Sequence, residues 1–100
     1  MCGKWPNTYI FTKALGENVV LKYSSDLPIC IVRPSIVIAT FKEPISAWIN
    51  NMYGATGVVL GSGIGLLRSL YCKEENVADI IPADYVISNI VSSAWDVAKR

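Results

Sequence analysis

A tyrosine and a lysine near the start of the chain have the residue types and the spacing that acid–base chemistry needs. Tyr9 and Lys13 are four residues apart in a segment that predicts a helix, so their side chains share one face. A nearby ammonium charge favours the ionised phenolate and makes the tyrosine a better proton donor. Such a tyrosine can protonate a carbonyl oxygen while hydride reaches the carbon, which accelerates reactions by about 10²- to 10⁴-fold. The alternative is an ordinary helix whose tyrosine packs and whose lysine is solvated.

The helix that carries this pair has signals at both ends. Pro6 with Asn7 or Thr8 as the N-cap predicts its start, and the polar residues that follow Tyr23 predict its end. Apolar residues repeat at four-residue spacing along one stripe, namely Phe11, Leu15 and Val19. The pattern therefore predicts a helix that begins after Asn7 or Thr8 and runs to about Tyr23.

The composition narrows the classes of function. With 100 residues, 52% of them hydrophobic and 17% charged, the sequence suits one small domain or a piece of a larger one. A net charge of +1 without a basic run argues against a nucleic-acid partner.

The absence of histidine argues against a zinc site or a histidine-based triad, and three widely spaced cysteines, Cys2, Cys30 and Cys72, indicate reduced thiols. We expect no metal. The most apolar stretch, residues 27–41, is too short to span a bilayer, which needs about 20 apolar residues.

Two short apolar runs follow the helix, at residues 29–32 and 36–39. Both are rich in β-branched residues, which predicts strands buried on both faces of a parallel sheet. Pro34 lies between them and should mark the point where the chain leaves the sheet. In open parallel sheets the ligand lies beyond the carboxyl ends of the strands, so we expect residues 33–37 to lie there.

A stretch rich in glycine and asparagine, residues 42–65, predicts a loop or a short helix. Two parts of it, residues 54–61 and 61–65, look like nucleotide-binding turns. We reject both as a cofactor fingerprint because neither follows a convincing strand and the first has its last glycine one residue too late. The glycines instead predict positive φ angles or close approaches of the backbone.

The chain ends with an amphipathic helix that Pro82 and Asp84 introduce. Its apolar residues repeat at spacings of three and four, as expected for a helix of a globular core: Val86, Ile87, Ile90, Val91, Ala94 and Trp95. Asp79 and Asp84 could form a catalytic carboxylate pair. A strand-end aspartate and a helix-start aspartate explain them more simply.

Three segments closely resemble the fatty acyl-CoA reductases, which are extended short-chain dehydrogenase/reductases with a defining Tyr-x-x-x-Lys motif. They are Lys4-Trp5-Pro6-Asn7-Thr8-Tyr9 through Thr12-Lys13-Ala14-Leu15, Arg33-Pro34-Ser35 with its apolar continuation, and Trp48-Ile49-Asn50-Asn51 with the later Leu67-Arg68. The resemblance covers about residues 3–97. It implies an α/β fold in which residues 1–100 form the C-terminal part of a doubly wound Rossmann-like reductase domain with an incomplete sheet. The family's N-terminal glycine turn is missing, so we expect a fragment that exposes strand edges and apolar faces and is inactive alone.

The resemblance also implies roles for individual residues. Tyr9 would be the proton donor and would also contact the NADPH cofactor, whose ribose Lys13 would bind. Contacts with the nicotinamide end are implied for Pro34, Ser35, Ile36 and Val37. Substrate contacts are implied for Trp48 and for Arg68, whose guanidinium could meet a coenzyme A phosphate or simply form an ion pair. Arg33 remains open between a substrate role and an ion pair.

The implied activity is the NADPH-dependent reduction of a long-chain acyl-CoA to a primary alcohol with release of coenzyme A. The implied location is the cytosol-facing side of a peroxisomal or endoplasmic reticulum membrane, with membrane association only through regions that this sequence lacks. Two alternatives remain open: another substrate of the superfamily, such as a sterol or a nucleotide sugar, and a non-catalytic remnant that binds a partner or lipid.

Overall fold

A computed structural model describes residues 5–100, so Cys2 and Lys4 of the sequence analysis lie outside the described residues. Along this range the elements follow in the order α1 (Thr8–Tyr23), β1 (Ile36–Ile38), α2 (Ala55–Gly63), β2 (Ile80–Pro82) and α3 (Ala83–Lys99). The chain forms two compact units. One contains residues 5–31 and Ser93–Arg100, and the other contains Val32–Ser92.

Helix α1 has the predicted limits because its capping signals are local. Asn7 has extended backbone angles, and its Oδ1 accepts a hydrogen bond of 2.9 Å from the N–H of Ile10. At the other end Ser24 is the C-cap, and its hydroxyl donates to the carbonyl of Leu21 at 3.1 Å. The apolar stripe is not buried, since Leu15 and Val19 are both exposed.

The two strands form a parallel sheet in which Ile36 faces Ile80 and Ile38 faces Pro82. Helix α2 lies between the strands in sequence and contacts β1, so β1, α2 and β2 form a β-α-β arrangement. A mixed α/β fold is therefore confirmed. Asp79 was expected at a strand end, and β2 begins at the next residue, Ile80. Residues 80–82 themselves were not predicted as a strand, although Ile80 and Ile81 are β-branched residues followed by a proline.

The strand prediction was half wrong. Residues 36–38 form β1, but residues 29–32 form no strand, because no other segment of the described chain pairs with them. Burial on both faces was also wrong, since Ile36 is 53% exposed. A run of β-branched residues favours an extended backbone, but only a neighbouring strand makes a ladder.

The glycine-rich stretch forms helix α2, so the prediction of a loop or a short helix is confirmed. Gly54 precedes the helix with φ of 58°, and Gly65 follows it with φ of 76°. Gly57 lies against the carbonyl of Met52 with no room for a Cβ. The expected positive φ angles and close approach are thus both present.

Helix α3 begins directly after Pro82, near its predicted start. Its apolar face does not pack into a core, and this expectation was wrong: Val86 is 8% exposed, but Ile87, Ile90, Val91 and Trp95 are exposed. The described chain therefore has little core and presents apolar faces, as expected for an incomplete sheet. Among residues 5–100 no helix combines the length and the apolar composition needed to cross a bilayer.

Candidate active site

Tyr9 and Lys13 lie together on helix α1. Tyr9 is in the first turn and Lys13 in the next, and the Lys13 Nζ is 5.6 Å from the centre of the Tyr9 ring. This distance is within the range of an attraction between an ammonium and an aromatic face. Both side chains are exposed, Tyr9 by 68%, so the phenol and the ammonium are accessible to a carbonyl oxygen and to sugar hydroxyls. The helical spacing thus places the two groups on one accessible face.

The four residues expected at the nicotinamide lie at the amino end of the sheet. Pro34 and Ser35 precede β1, and Ile36 and Val37 are its first two residues. The Ile36 N–H donates to the carbonyl of Asp79 at 3.1 Å. Their expected position beyond the carboxyl end of a strand was wrong, because residues 29–32 do not form that strand. Their contact with a cofactor stays a prediction.

The carboxyl end of β1 leads into a closed loop, residues 40–48, which we call the Thr40–Trp48 loop. Thr40 is 8% exposed and joins the two ends of the loop. Its Oγ1 accepts from the N–H of Trp48 at 3.0 Å, and its own N–H donates to the carbonyl of Trp48 at 3.2 Å. The Thr40 hydroxyl also donates to the carbonyl of Ile45. The loop therefore has a fixed internal hydrogen-bond pattern.

Asp84, in the first turn of α3, binds the backbone of this loop. Its carboxylate accepts hydrogen bonds from the N–H groups of Phe41 and Lys42, each at 2.9 Å, and from that of Glu43 at 3.3 Å. The Tyr85 ring next to it meets the Phe41 ring edge to face, with 5.9 Å between the ring centres. These hydrogen bonds, that of Phe41 foremost, hold the pKa of Asp84 below its usual range, because they stabilise the ionised carboxylate against a smaller opposing effect of burial.

From the sequence, Asp84 was expected at the start of a helix or in a carboxylate pair with Asp79, and its three backbone partners were not predicted. The signal was present in principle: an aspartate directly after a parallel strand lies at the ligand edge of the sheet. Its partners are more than 40 residues earlier in the chain, so no local pattern reveals them.

A cavity of about 640 Å³ lies between the Thr40–Trp48 loop and the first turns of α3. Trp48 lines it, together with Ile87 and Ala83. Arg68 does not line this cavity, and its Nε donates to the carbonyl of Gly65 at 3.4 Å. The two residues expected at the substrate therefore lie in different settings, and their substrate contacts remain predictions. Within residues 5–100 no group of three or more histidine, cysteine and acidic side chains could hold a metal ion.

Comparison with known proteins identifies the family. The model of an NAD-binding domain family described as "Male sterility protein" matches residues 1–90. The chain belongs to this family. A male sterility protein domain of this NAD-binding type indicates a nicotinamide cofactor, which agrees with the accessible Tyr9–Lys13 pair.

Relatives of this male sterility protein domain carry names that agree with the resemblance. The fatty acyl-CoA reductase wat of Drosophila melanogaster is 48% identical over 96 residues, which are 96% of this chain and 19% of that protein. Fatty acyl-CoA reductase 2 of Bos taurus is 45% identical and fatty acyl-CoA reductase 1 of Xenopus laevis 46% identical, each over 95% of this chain and 18% of the relative. The chain thus spans about a fifth of the length of these relatives. No solved structure shows significant similarity.

Proposed function

We propose that this chain provides the proton donor and part of the cofactor site of an NADPH-dependent fatty acyl-CoA reductase. The observation that carries the proposal is the accessible Tyr9–Lys13 pair in a chain whose relatives are named fatty acyl-CoA reductases. The proposed reaction converts a long-chain acyl-CoA to a primary alcohol and releases coenzyme A. The proposed setting is a doubly wound sheet to which β1 and β2 contribute two parallel strands.

The chemistry requires two reductions. NADPH, when bound, supplies one hydride to the carbonyl carbon in each of them. In the first, the carbon–sulfur bond then breaks and an aldehyde remains, while coenzyme A leaves as the thiolate, which takes a proton from solvent. In the second, Tyr9 donates its phenolic proton to the aldehyde oxygen, which yields the alcohol, and the phenolate regains a proton from solvent.

Lys13 has two roles in this proposal. Its ammonium, 5.6 Å from the centre of the Tyr9 ring, stabilises the phenolate that forms when the proton leaves. It also donates hydrogen bonds to the ribose hydroxyls of the cofactor, for which an accessible ammonium with three donors is suited. The Lys13 side chain would thereby hold the cofactor close to the proton donor, Tyr9.

Other contacts extend the site. Backbone groups of residues 34–37 would contact the nicotinamide end of the cofactor. The Trp48 side chain would contact the substrate. The Arg68 guanidinium would bind a phosphate of coenzyme A through two N–H donors. We place the reductase at the cytosol-facing side of a peroxisomal or endoplasmic reticulum membrane, a proposal that rests on the resemblance and that co-localisation of a fluorescent fusion would test.

Two proteins test the proposed function. The first is the 100-residue chain alone. The second is a chimeric reductase, in which the whole chain replaces the matching segment of the Drosophila relative. Nucleotide fluorescence follows NADPH binding, and chromatography identifies the product of a long-chain acyl-CoA. We expect the chimeric reductase to consume two NADPH for each alcohol formed and the chain alone to be inactive. An active Drosophila protein beside a chimera that binds NADPH but reduces no acyl-CoA would overturn the proposal.

A further inference from the structure

The carboxyl ends of β1 and β2 lie at the same edge of the sheet. The strands are parallel and in register, with Ile38 opposite Pro82 at their last residues. Beyond Ile38 the chain enters the Thr40–Trp48 loop, and beyond Pro82 it enters the first turn of α3. Ligands of open parallel sheets bind at this edge. The 640 Å³ cavity lies between this loop and this turn, and therefore at the edge where a ligand is expected.

The lining of the cavity favours an uncharged ligand. Apolar side chains cover much of it, namely Pro44, Trp48, Ala83 and Ile87. The charged residues among its lining are both acidic, Glu43 and Asp84. Carboxylates repel the phosphates of coenzyme A, and no lysine or arginine of the described chain lines the cavity to attract them. An acyl chain suits this lining better than the coenzyme A end of the same substrate.

The wall of the cavity depends on Asp84. The Asp84 carboxylate accepts from the N–H groups of Phe41, Lys42 and Glu43, which begin the loop whose last residue is Trp48. Three N–H donors stabilise the ionised carboxylate, which therefore keeps its negative charge beside an apolar surface. Without it the loop would keep the internal bonds of Thr40 but would lose these bonds to α3.

We propose that this cavity binds the acyl end of the substrate and that Asp84 is the positioning residue that holds its wall. The proposal rests on the proposed function, because the substrate class comes from there. Asp84 does not touch the reacting atoms in this assignment. It fixes the backbone of residues 41–43, and through the loop it places the Trp48 ring against the acyl chain.

The test compares Asp84→Asn, Asp84→Ala and Asp96→Asn in the chimeric reductase. Asp96 is the matched control, because it is an exposed aspartate of the same helix and its carboxylate pairs with Arg100 at 2.6 Å. Asparagine keeps the size of the side chain at position 84 but removes its charge, which guards against misfolding of the alanine variant. The readouts are KM for acyl-CoA substrates of increasing chain length, KM for NADPH, and kcat.

We expect Asp84→Asn to raise KM for a long-chain acyl-CoA about tenfold, since a lost hydrogen bond to a charged group changes a binding constant by about that factor or more. KM for NADPH should stay unchanged, and the preference for long over short acyl chains should weaken. Trp48→Ala should weaken the same preference, and Asp96→Asn should change nothing.

Three results would overturn the assignment. An unchanged KM and chain-length preference in a folded Asp84→Asn protein would do so, and equal rises in KM for NADPH and acyl-CoA would instead mean a general structural role. Absence of acyl-CoA turnover in an unsubstituted chimeric reductase that binds NADPH, beside an active Drosophila protein, would overturn the proposed function itself, and the assignment with it.

Discussion

The Asp84 carboxylate accepts a hydrogen bond of 2.9 Å from the backbone N–H of Phe41, and this contact joins the segments that leave the two parallel strands. The aspartate is in the first turn of α3, where a negative charge is also favoured by the helix dipole. The same carboxylate therefore stabilises the start of a helix and fixes the loop opposite. The ligand edge of the sheet is thus held together by the hydrogen bonds of Asp84 and by the contact of the Phe41 and Tyr85 rings, while much of the apolar surface of the described chain is exposed.

Removal of the phenol of Tyr9 should abolish most of the activity. Tyr9→Phe in the chimeric reductase should lower kcat by about 10²- to 10⁴-fold, because general acid catalysis contributes that much. KM for acyl-CoA should change little, since the phenol acts in the transition state. Steady-state kinetics with an aldehyde as substrate isolates the second reduction, in which Tyr9 is the proposed proton donor.

Tyr23→Phe is the matched control for this experiment. Tyr23 lies in the last turn of the same helix, is 68% exposed like Tyr9, and has the Lys22 Nζ 5.5 Å from its ring centre. A tyrosine beside a lysine is therefore present twice on α1, but only one pair has the four-residue spacing. Equal losses of kcat in the two variants would contradict the role of Tyr9.

Loss of the Lys13 ammonium should weaken cofactor binding. Lys13→Met should raise the Kd for NADPH about 10- to 100-fold, because hydrogen bonds to charged groups contribute about 1.5–3 kcal/mol. It should also lower kcat, since the phenolate of Tyr9 loses a stabilising charge. Fluorescence titration of the chimeric reductase measures Kd. Lys22→Met should leave Kd unchanged, and a Lys13→Met protein that binds NADPH normally would remove Lys13 from the cofactor site.

Local signals made α1 and its chemical pair predictable from the sequence. The cap at Asn7 acts over three residues, and the spacing of Tyr9 and Lys13 is fixed by the helix itself. The strand at residues 29–32 was wrong for the opposite reason, since β structure depends on a partner elsewhere. The three hydrogen bonds of Asp84 could not be predicted either, because they depend on how the loop and α3 meet in the folded chain. Local patterns in the sequence thus predict the Tyr9–Lys13 pair, whose role as proton donor remains a proposal, but not the contacts that line the cavity.

The lowered pKa of Asp84 predicts a pH dependence of stability. A carboxylate whose pKa is lower in the folded than in the unfolded state stabilises the fold above the unfolded value, about 3.9 for aspartate. This contribution should be lost as the pH falls below that value towards the folded pKa. The amide proton resonances of Phe41 and Lys42 should shift over the same range in an NMR titration of the 100-residue chain, because both N–H groups donate to this carboxylate.

Asp84→Asn should remove that shift at Phe41 and Lys42 and should reduce the loss of stability in acid. Lys42 and Glu43 are the neighbouring charged residues of the loop. A second control therefore replaces each of them with an uncharged residue and measures the same shift at Phe41. Asp96→Asn should leave the shift at Phe41 intact. A titration of the Phe41 amide that persists in the Asp84→Asn protein would assign the effect to another group, with Glu43 the first to examine.

Two glycines should respond in opposite ways to the addition of a methyl group. A Cβ at Gly57 would collide with the carbonyl of Met52, whereas nothing lies within 4 Å of a Cβ at Gly16 in the middle of α1. Gly57→Ala should lower the free energy of unfolding by about 1–3 kcal/mol, since the added methyl group forces the backbone at Met52 or the helix to shift. Gly16→Ala should raise it by about 0.5–1 kcal/mol, because alanine loses less backbone entropy in a helix. Urea denaturation followed by circular dichroism measures both changes.

A comparison of Gly57 with Gly63 also tests whether the contact between α2 and Met52 is what requires glycine at position 57. Gly63→Ala is the control within α2, because a Cβ there also meets nothing within 4 Å. If the collision with Met52 is what requires glycine at position 57, then Gly63→Ala should be tolerated and Gly57→Ala should not. Equal changes in the free energy of unfolding at positions 57 and 63 would mean that helix propensity alone determines the effect of alanine. The close approach of Met52 to α2 would then not be what requires glycine at position 57.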